Sequence, residues 1–135
     1  MVRDELVLVN QDGKEINIAR FLQGFQANST VQIRAIEWSP NNQYLALSLE
    51  YKNDIDNVLN STLITIDNLT GQAVDFCIPV TNNIIIWSPD SNKLIVEAFN
   101  KNDQKDTSIN LIDIKQGWAA EIDETLTPLG WMIAP

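Results

Sequence analysis

Histidine is absent from this chain of 135 residues, and cysteine occurs once. Without histidine the chain lacks the commonest general base near neutral pH, the Ser-His-Asp and Cys-His arrangements, and the usual ligand of zinc. The sequence also has no Gly-rich phosphate-binding loop and no paired cysteine motif. We therefore predict that the chain is not an enzyme and has no cofactor, with no catalytic, cofactor-binding or metal-binding residues.

The cysteine and the acidic loops are the remaining candidates for chemistry. Cys77 lies in the apolar run 74–78, which predicts a small buried side chain in a strand. Two polar loops hold carboxylates, namely Asp54, Asp56, Asp103 and Asp106. Carboxylate pairs can perform acid–base work, and oxygen-rich loops suit calcium, but neither loop has the spacing of a calcium-binding motif. We interpret both loops as solvated connections.

Basic residues are few, with nine Lys and Arg against eighteen Asp and Glu and a formal net charge of −9. Because each phosphate contact needs a Lys or Arg, this balance argues against nucleic acid as a partner. The chain has no apolar run long enough for a signal peptide or a membrane span. We expect a soluble protein with no membrane partner, and its compartment stays open. Cationic ligands and basic protein surfaces also remain open as partners.

The sequence also contains an internal repeat. Residues 36–45 (IEWSPNNQYL) return 49 positions later as residues 85–94 (IIWSPDSNKL). Trp38, Trp87 and Trp131 mark the same position in three successive units. Self-similarity of this kind predicts one supersecondary unit that is used repeatedly, each copy burying its apolar face against a neighbour.

Each unit is predicted to hold four short antiparallel strands. Apolar and β-branched residues alternate, and no segment keeps helical spacing. The Ser-Pro turns at Pro40 and Pro89 join two strands, because proline presets φ for a turn and the following Asn or Asp tolerates left-handed backbone. In the first complete unit the predicted strands are 33–38, 43–50, 62–67 and 72–78. Four strands in about 45 to 50 residues are typical of a propeller blade.

The pattern Trp-Ser-Pro-Asp/Asn, then a Leu-rich strand, then a strand ending in Asp before a Gly turn, resembles TolB-like and dipeptidyl-peptidase-like propeller blades. It resembles WD repeats more distantly, because Ile66-Asp67 and Ile112-Asp113 replace their Trp-Asp pair. The resemblance implies an all-β partial β-propeller, with about two complete four-stranded antiparallel blades and incomplete blades at both ends. It implies little about function, because such blades serve unrelated roles.

The repeat divides the chain into parts of a single repeat domain, residues 1–135. We predict a partial blade 1–20, an insertion loop 20–31, a blade 32–79, a blade 82–123 and a partial blade 127–135. The segment from Gly13 to Trp38 is longer than the matching segments of later units by about nine residues or more. Insertions in repeat proteins often map to the binding face. Phe21, Leu22 and Phe25 are therefore a predicted contact surface, with cover of the first blade's end as the equal alternative.

The tryptophans have a structural and a binding interpretation. For Trp38, Trp87 and Trp131 we favour packing in the wedge between adjacent blades, since the ring recurs at one blade position. Aromatic rings can also stack on ligands. Trp118 breaks the period beside the Gly117 turn, so it is a candidate binding residue, with cover of a neighbouring blade as the alternative.

The incomplete units suggest a function in protein interaction. A closed propeller needs about four blades or more, and uncovered blade faces and strand edges need partners. We predict a non-enzymatic protein-interaction scaffold that self-associates or forms part of a larger propeller. Two alternatives stay open: an accessory propeller portion of a prolyl-oligopeptidase-like peptidase, and a small-ligand or glycan binder in an assembled ring.

Overall fold

A computed structural model describes residues 7–9, 11–17, 29–53, 57, 59–99, 106–123 and 130–132. Within these ranges the chain forms ten β-strands and no helix, so it has no helix that could span a membrane. The strands are β1 (Val7–Val9), β2 (Glu15–Asn17), β3 (Ser29–Trp38), β4 (Tyr44–Asn53), β5 (Leu59–Asp67), β6 (Ala73–Asp75), β7 (Val80–Trp87), β8 (Lys93–Phe99), β9 (Thr107–Asp113) and β10 (Trp118–Asp123).

The strands assemble into two four-stranded sheets and one hairpin. Blade 1 has the order β3-β4-β5-β6, and blade 2 has the order β7-β8-β9-β10. Within each blade every strand pairs antiparallel with the next strand along the chain. The hairpin of β1 and β2 is a separate antiparallel pair. These sheets confirm the predicted all-β class with two complete four-stranded blades.

Several strand limits differ from the prediction. Strand β3 begins at Ser29, earlier than predicted, because its pairing with β4 continues past a bulge between Ile33 and Ala35 to the pair Ser29 and Asn53. Strand β6 covers only Ala73–Asp75. The limits of the predicted blades and of the insertion loop remain predictions.

Cys77 was predicted to be a buried strand residue, and that prediction was wrong. It is exposed, lies after the end of β6 and has a φ of 54°. The carboxylate of Asp75 explains the break, because Oδ1 accepts the amide N–H of Cys77 at 2.8 Å and so takes a donor that would otherwise extend the strand.

The two Ser-Pro turns share one set of hydrogen bonds. Ser39 Oγ donates to Asn41 Oδ1 at 2.7 Å, and Ser88 Oγ donates to Asp90 Oδ1 at 2.6 Å. The residue after each acceptor has a left-handed φ, 58° at Asn42 and 61° at Ser91. Asparagine adopts this conformation readily, whereas serine pays a cost of roughly 1–2 kcal/mol there. The Ser91 hydroxyl offsets part of this cost, because it accepts the Asn41 amide of the other turn at 3.0 Å.

The core consists of two apolar layers, one on each side of blade 1. The layer between the blades holds residues of both, including Ala46, Leu63, Trp87, Leu94 and Val96. The layer on the other side of blade 1 is built on Leu45, Leu47, Leu49, Tyr51, Ile64 and Ile66, with Leu8 and Ile16 of the hairpin packed against it. Alternation along β4 therefore sends successive residues into different layers, as a sheet with a neighbour on each face requires.

Candidate interaction surface

Trp87, the motif tryptophan of blade 2, is buried between the two sheets. Trp87 is 9% exposed, and the Tyr44 ring stacks on it with centroids 6.3 Å apart and planes 18° from parallel. Its indole Nε1–H donates to the backbone carbonyl of Glu37 at 3.1 Å. Burial of the ring and pairing of its polar edge together make Trp87 a firm contact between the sheets.

Trp131 repeats the same contact one unit further along the chain. Its Nε1–H donates to the carbonyl of Ile86 at 3.3 Å. In both cases the acceptor is the residue just before the preceding tryptophan, Glu37 before Trp38 and Ile86 before Trp87. The same hydrogen bond thus links the units of Trp87 and Trp131 to the unit before each of them.

Trp38 holds the equivalent position in blade 1 but lies in a different environment. It is 49% exposed, although packing between sheets was predicted for it, and that prediction fails for this ring. The reason is the neighbour: in the described residues no sheet of four strands lies on this side of blade 1, where only β1 and β2 are present.

Two further apolar side chains of β3 are exposed beside Trp38. Ile36 is 46% exposed and Ile33 is 39% exposed. The three residues pair in register with Leu45, Leu47 and Leu49 of β4, and residues directly opposite in an antiparallel pair share a face. The open stripe (Ile33, Ile36 and Trp38) therefore continues the buried layer of Leu45, Leu47 and Leu49 into solvent.

The hairpin covers the outer part of that same face. Leu8 and Ile16 pack on the layer, and a Cβ placed on Gly71, in the turn between β5 and β6, would lie 3.7 Å from Ile16 Cδ1. The hairpin thus sits over the β5 and β6 side of blade 1. On β3, Val31 packs against the layer, whereas Ile33, Ile36 and Trp38 remain exposed.

The residues predicted to bind are not brought together with this surface in the described part of the chain. Phe21, Leu22 and Phe25 lie outside the described residues. Trp118 is 39% exposed at the start of β10, and its Nε1–H donates to Gln116 Oε1 at 2.9 Å. The contact surface at these positions stays a prediction. The open stripe was missed because Ile33 and Ile36 have the pattern of ordinary strand residues and Trp38 was expected to pack between blades.

Ionisable groups are scattered rather than gathered into a site. In the described ranges no three His, Cys, Asp or Glu side chains are placed to hold a metal ion. Asp106 is exposed, and the other three loop aspartates, Asp54, Asp56 and Asp103, lie outside those ranges. Burial raises the pKa of the Tyr51 phenol, and Asp75 and Cys77 raise that pKa further.

Glu97 is the one buried carboxylate with an unsatisfied atom among the described residues. It is 4% exposed, and its Oε2 has no hydrogen-bond partner. It pairs in register with Ile109 of β9, so it lies on the face of blade 2 that points away from blade 1. A buried acceptor without a donor destabilises the folded state.

The fold is that of β-propeller blades. The chain is similar to the β-propeller domain of the trilobed protease from Pyrococcus furiosus, which has an open velcro topology, with a TM-score of 0.57 and 18% identity over 75% of this chain and 30% of that chain. It is also similar to Pyrococcus horikoshii acylaminoacyl peptidase, with a TM-score of 0.55 and 17% identity over 71% of this chain and 14% of that chain.

A third similar structure is an acylaminoacyl peptidase in complex with Z-Gly-Gly-Phe-chloromethyl ketone, with a TM-score of 0.53 and 18% identity. That match covers 79% of this chain and 16% of the peptidase chain, so this chain spans a minor part of each structure it resembles. No protein-family model and no curated protein matches the chain. At these identities the likeness extends to the fold.

Proposed function

We propose that the chain is a non-enzymatic β-propeller segment that acts as a protein-interaction scaffold. The observation that carries this proposal is the open stripe. Trp87 and Ile85, the blade 2 equivalents of Trp38 and Ile36, are buried, whereas Trp38, Ile36 and Ile33 are 49%, 46% and 39% exposed. Contiguous exposed apolar residues on a sheet face mark an interaction surface. Covering them would remove apolar area from water at roughly 25 cal/mol per Å².

Light scattering tests the self-associating form of this scaffold. We expect the purified chain to show a mass that rises with concentration, and we expect Ile36→Asp to abolish the rise because it places a charge in the stripe. Leu69→Asp is the matched control, since Leu69 is 77% exposed in a turn outside the stripe. A chain that stays monomeric at all concentrations and binds no dye specific for exposed apolar surface would contradict the scaffold.

A second candidate function is an accessory propeller portion of a peptidase. The similarity of the fold to the propeller of a protease and to two acylaminoacyl peptidases supports it. In that case the segment would dock or gate substrate for a catalytic domain outside this sequence. Sequencing the gene around this segment tests the idea: a hydrolase domain with a Gly-x-Ser-x-Gly motif in the same reading frame is expected, and a full-length gene without one would contradict it.

A further inference from the structure

The outer strand of blade 2, β10, presents an open strand edge. In the described residues it pairs with β9 alone. Every residue from 118 to 122 is exposed, including Trp118 at 39% and Ile122 at 53%. Unpaired backbone groups beside exposed apolar side chains are a template for pairing with another strand. We propose that β10 pairs antiparallel with β10 of a second copy of this chain, and we call this contact the edge pair.

Blade 1 protects the equivalent edge. Its outer strand, β6, has three residues, because Asp75 Oδ1 accepts the amide of Cys77 at 2.8 Å and ends the strand. Glu121 lies four residues after the turn glycine Gly117, as Asp75 does after Gly71. Glu121 is exposed, and β10 continues past it to a length of six residues. A very short edge strand prevents edge-to-edge pairing, and β10 lacks this protection.

The sequence of β10 favours a second copy as the partner, because it is complementary to itself in one antiparallel register. With Ala120 opposite Ala120 of the second copy, Ala119 lies opposite Glu121 and Trp118 lies opposite Ile122. Aromatic and β-branched residues are favourable cross-strand partners. A shift of two residues in either direction loses both of these pairs. One of the two shifts also places Glu121 opposite Glu121, where like charges repel.

The backbone of β10 is regular at the centre of this register. Trp118 to Glu121 pair with β9 without interruption, and the bulge of β10 follows Glu121. Ala119 pairs with Ile112, which belongs to the layer between the blades, so Ala119 and Glu121 lie on the face toward blade 1. Trp118 and Ala120 lie on the other face. Each face of β10 would therefore continue into the same face of the second copy.

The edge pair is small, since it joins only residues 118–122 of each copy. Stable interfaces bury about 1,200–2,000 Å² in total. We therefore expect the edge pair to form transiently between isolated chains and to contribute little to the mass measured by light scattering. The inference rests on the proposed scaffold function, to which it adds a second contact between copies that does not involve the open stripe. Covalent trapping is the test suited to such a contact.

The experiment traps the edge pair as a disulfide. Ala120→Cys is made in a chain that also carries Cys77→Ser and Ile36→Asp, which remove the exposed native thiol and the stripe contact. Residues directly opposite in an antiparallel pair are close enough for a disulfide. Ala120→Cys should therefore give a covalent dimer in a glutathione buffer. Ala119→Cys is the matched control, because the two cysteines would be offset by two residues along the strands, beyond the reach of a disulfide.

Charge variants at position 119 test the register. In the Ala120→Cys chain, Ala119→Lys places a cation opposite Glu121 on each side of the two-fold axis. It should raise the ratio of dimer to monomer by about 2- to 30-fold. Ala119→Glu should lower this ratio, because it places like charges opposite each other, and added salt should reduce both changes. Circular dichroism melting checks that each variant is folded.

Equal dimer yields from Ala120→Cys and Ala119→Cys would overturn the edge pair, as would charge variants without effect. If the chain still self-associates through Ile36, the scaffold function would stand despite that result. Trapping by Ala120→Cys, combined with a parent chain whose mass never rises with concentration, would have the opposite meaning. The edge pair would then stand, and the open stripe would be removed as a contact between copies.

Discussion

Blade 1 and blade 2 carry the same Trp-Ser-Pro motif, yet Trp87 is 9% exposed and Trp38 is 49% exposed. The turns that follow the two rings are nearly identical in their hydrogen bonds. The difference therefore comes from the neighbours: blade 1 covers Trp87, and a two-stranded hairpin covers only the outer part of the Trp38 face. A repeat motif builds its own turn, but the burial of its ring depends on the next sheet.

Removing each ring is the sharpest test of this comparison. Trp87→Ala should lower the free energy of unfolding by about 3–5 kcal/mol, the usual cost of deleting a large buried aromatic side chain. Trp38→Ala should lower it by less than about 1 kcal/mol, because the ring is half exposed. Urea denaturation followed by far-UV circular dichroism measures both. Equal losses at the two positions would show that Trp38 is buried in solution.

The second comparison concerns the buried polar residues Glu97 and Ser48, which hold equivalent positions in the two blades. Ser48 is a small neutral residue, whereas Glu97 buries a carboxylate whose Oε2 lacks a partner. Replacing Glu97 by leucine should raise the free energy of unfolding by about 1–3 kcal/mol, the desolvation cost of an unpaired polar group. Glu121→Leu, at an exposed position of β10, is the control with little expected change. A destabilised Glu97→Leu variant would mean that the carboxylate is paired in solution.

Lowering the pH should destabilise the Ser-Pro turn of blade 2, which contains Asp90, but not the turn of blade 1, which contains Asn41. Hydrogen bonds from Ser88 and from Asn92 lower the pKa of Asp90 from 3.8 to about 2, whereas the equivalent residue, Asn41, does not titrate. Because the folded-state pKa is depressed, this stabilisation is complete above pH 3.8 and is lost as the pH falls through 2. Asp90→Asn should therefore reduce the fall in melting temperature between neutral pH and pH 2.

The reciprocal variant completes the acid comparison. Asn41→Asp should add acid sensitivity to the turn of blade 1, since its carboxylate would accept the same Ser39 hydroxyl that Asn41 accepts now. The measurement is the melting temperature of the parent chain and of both variants between neutral pH and pH 2. Identical pH profiles for the parent chain and Asp90→Asn would show that the carboxylate of Asp90 is not preferentially stabilised in the folded state.

The smallest expected effect concerns the exposed ion pair of blade 1. Arg34 of blade 1 donates from two nitrogens to both Glu50 oxygens, at 3.0 and 2.9 Å, whereas Lys93 and Asp113 of blade 2 lie 3.5 Å apart. Exposed pairs contribute little and are screened by salt. Arg34→Gln should therefore lower the urea midpoint slightly at low salt and not at high salt. Lys93→Gln should lower it more and at both salt concentrations, because Asp113 is only 5% exposed and would lose its cation. The same salt dependence for both variants would contradict this difference.

Much of the fold was predictable because it depends on local patterns. Alternation and the repeat predicted two four-stranded antiparallel sheets, and the Ser-Pro turns lie where Pro40 and Pro89 place them. Strand limits were less predictable, since the start of β3 at Ser29 depends on pairing with residues 24 positions further along the chain. Cys77 was missed because the Asp75 side chain, two residues earlier, takes its amide hydrogen bond.

The candidate surface could be predicted only in outline. The sequence by itself determined that three tryptophans recur at one position of a repeated unit and that the units are sheets. Only the tertiary structure decided which ring is covered, which carbonyl accepts each indole N–H, and that Ile33 and Ile36 are exposed beside Trp38. The physical reason is that hydrogen bonds within a turn join residues close along the chain, whereas burial is a property of the surface that packs against them.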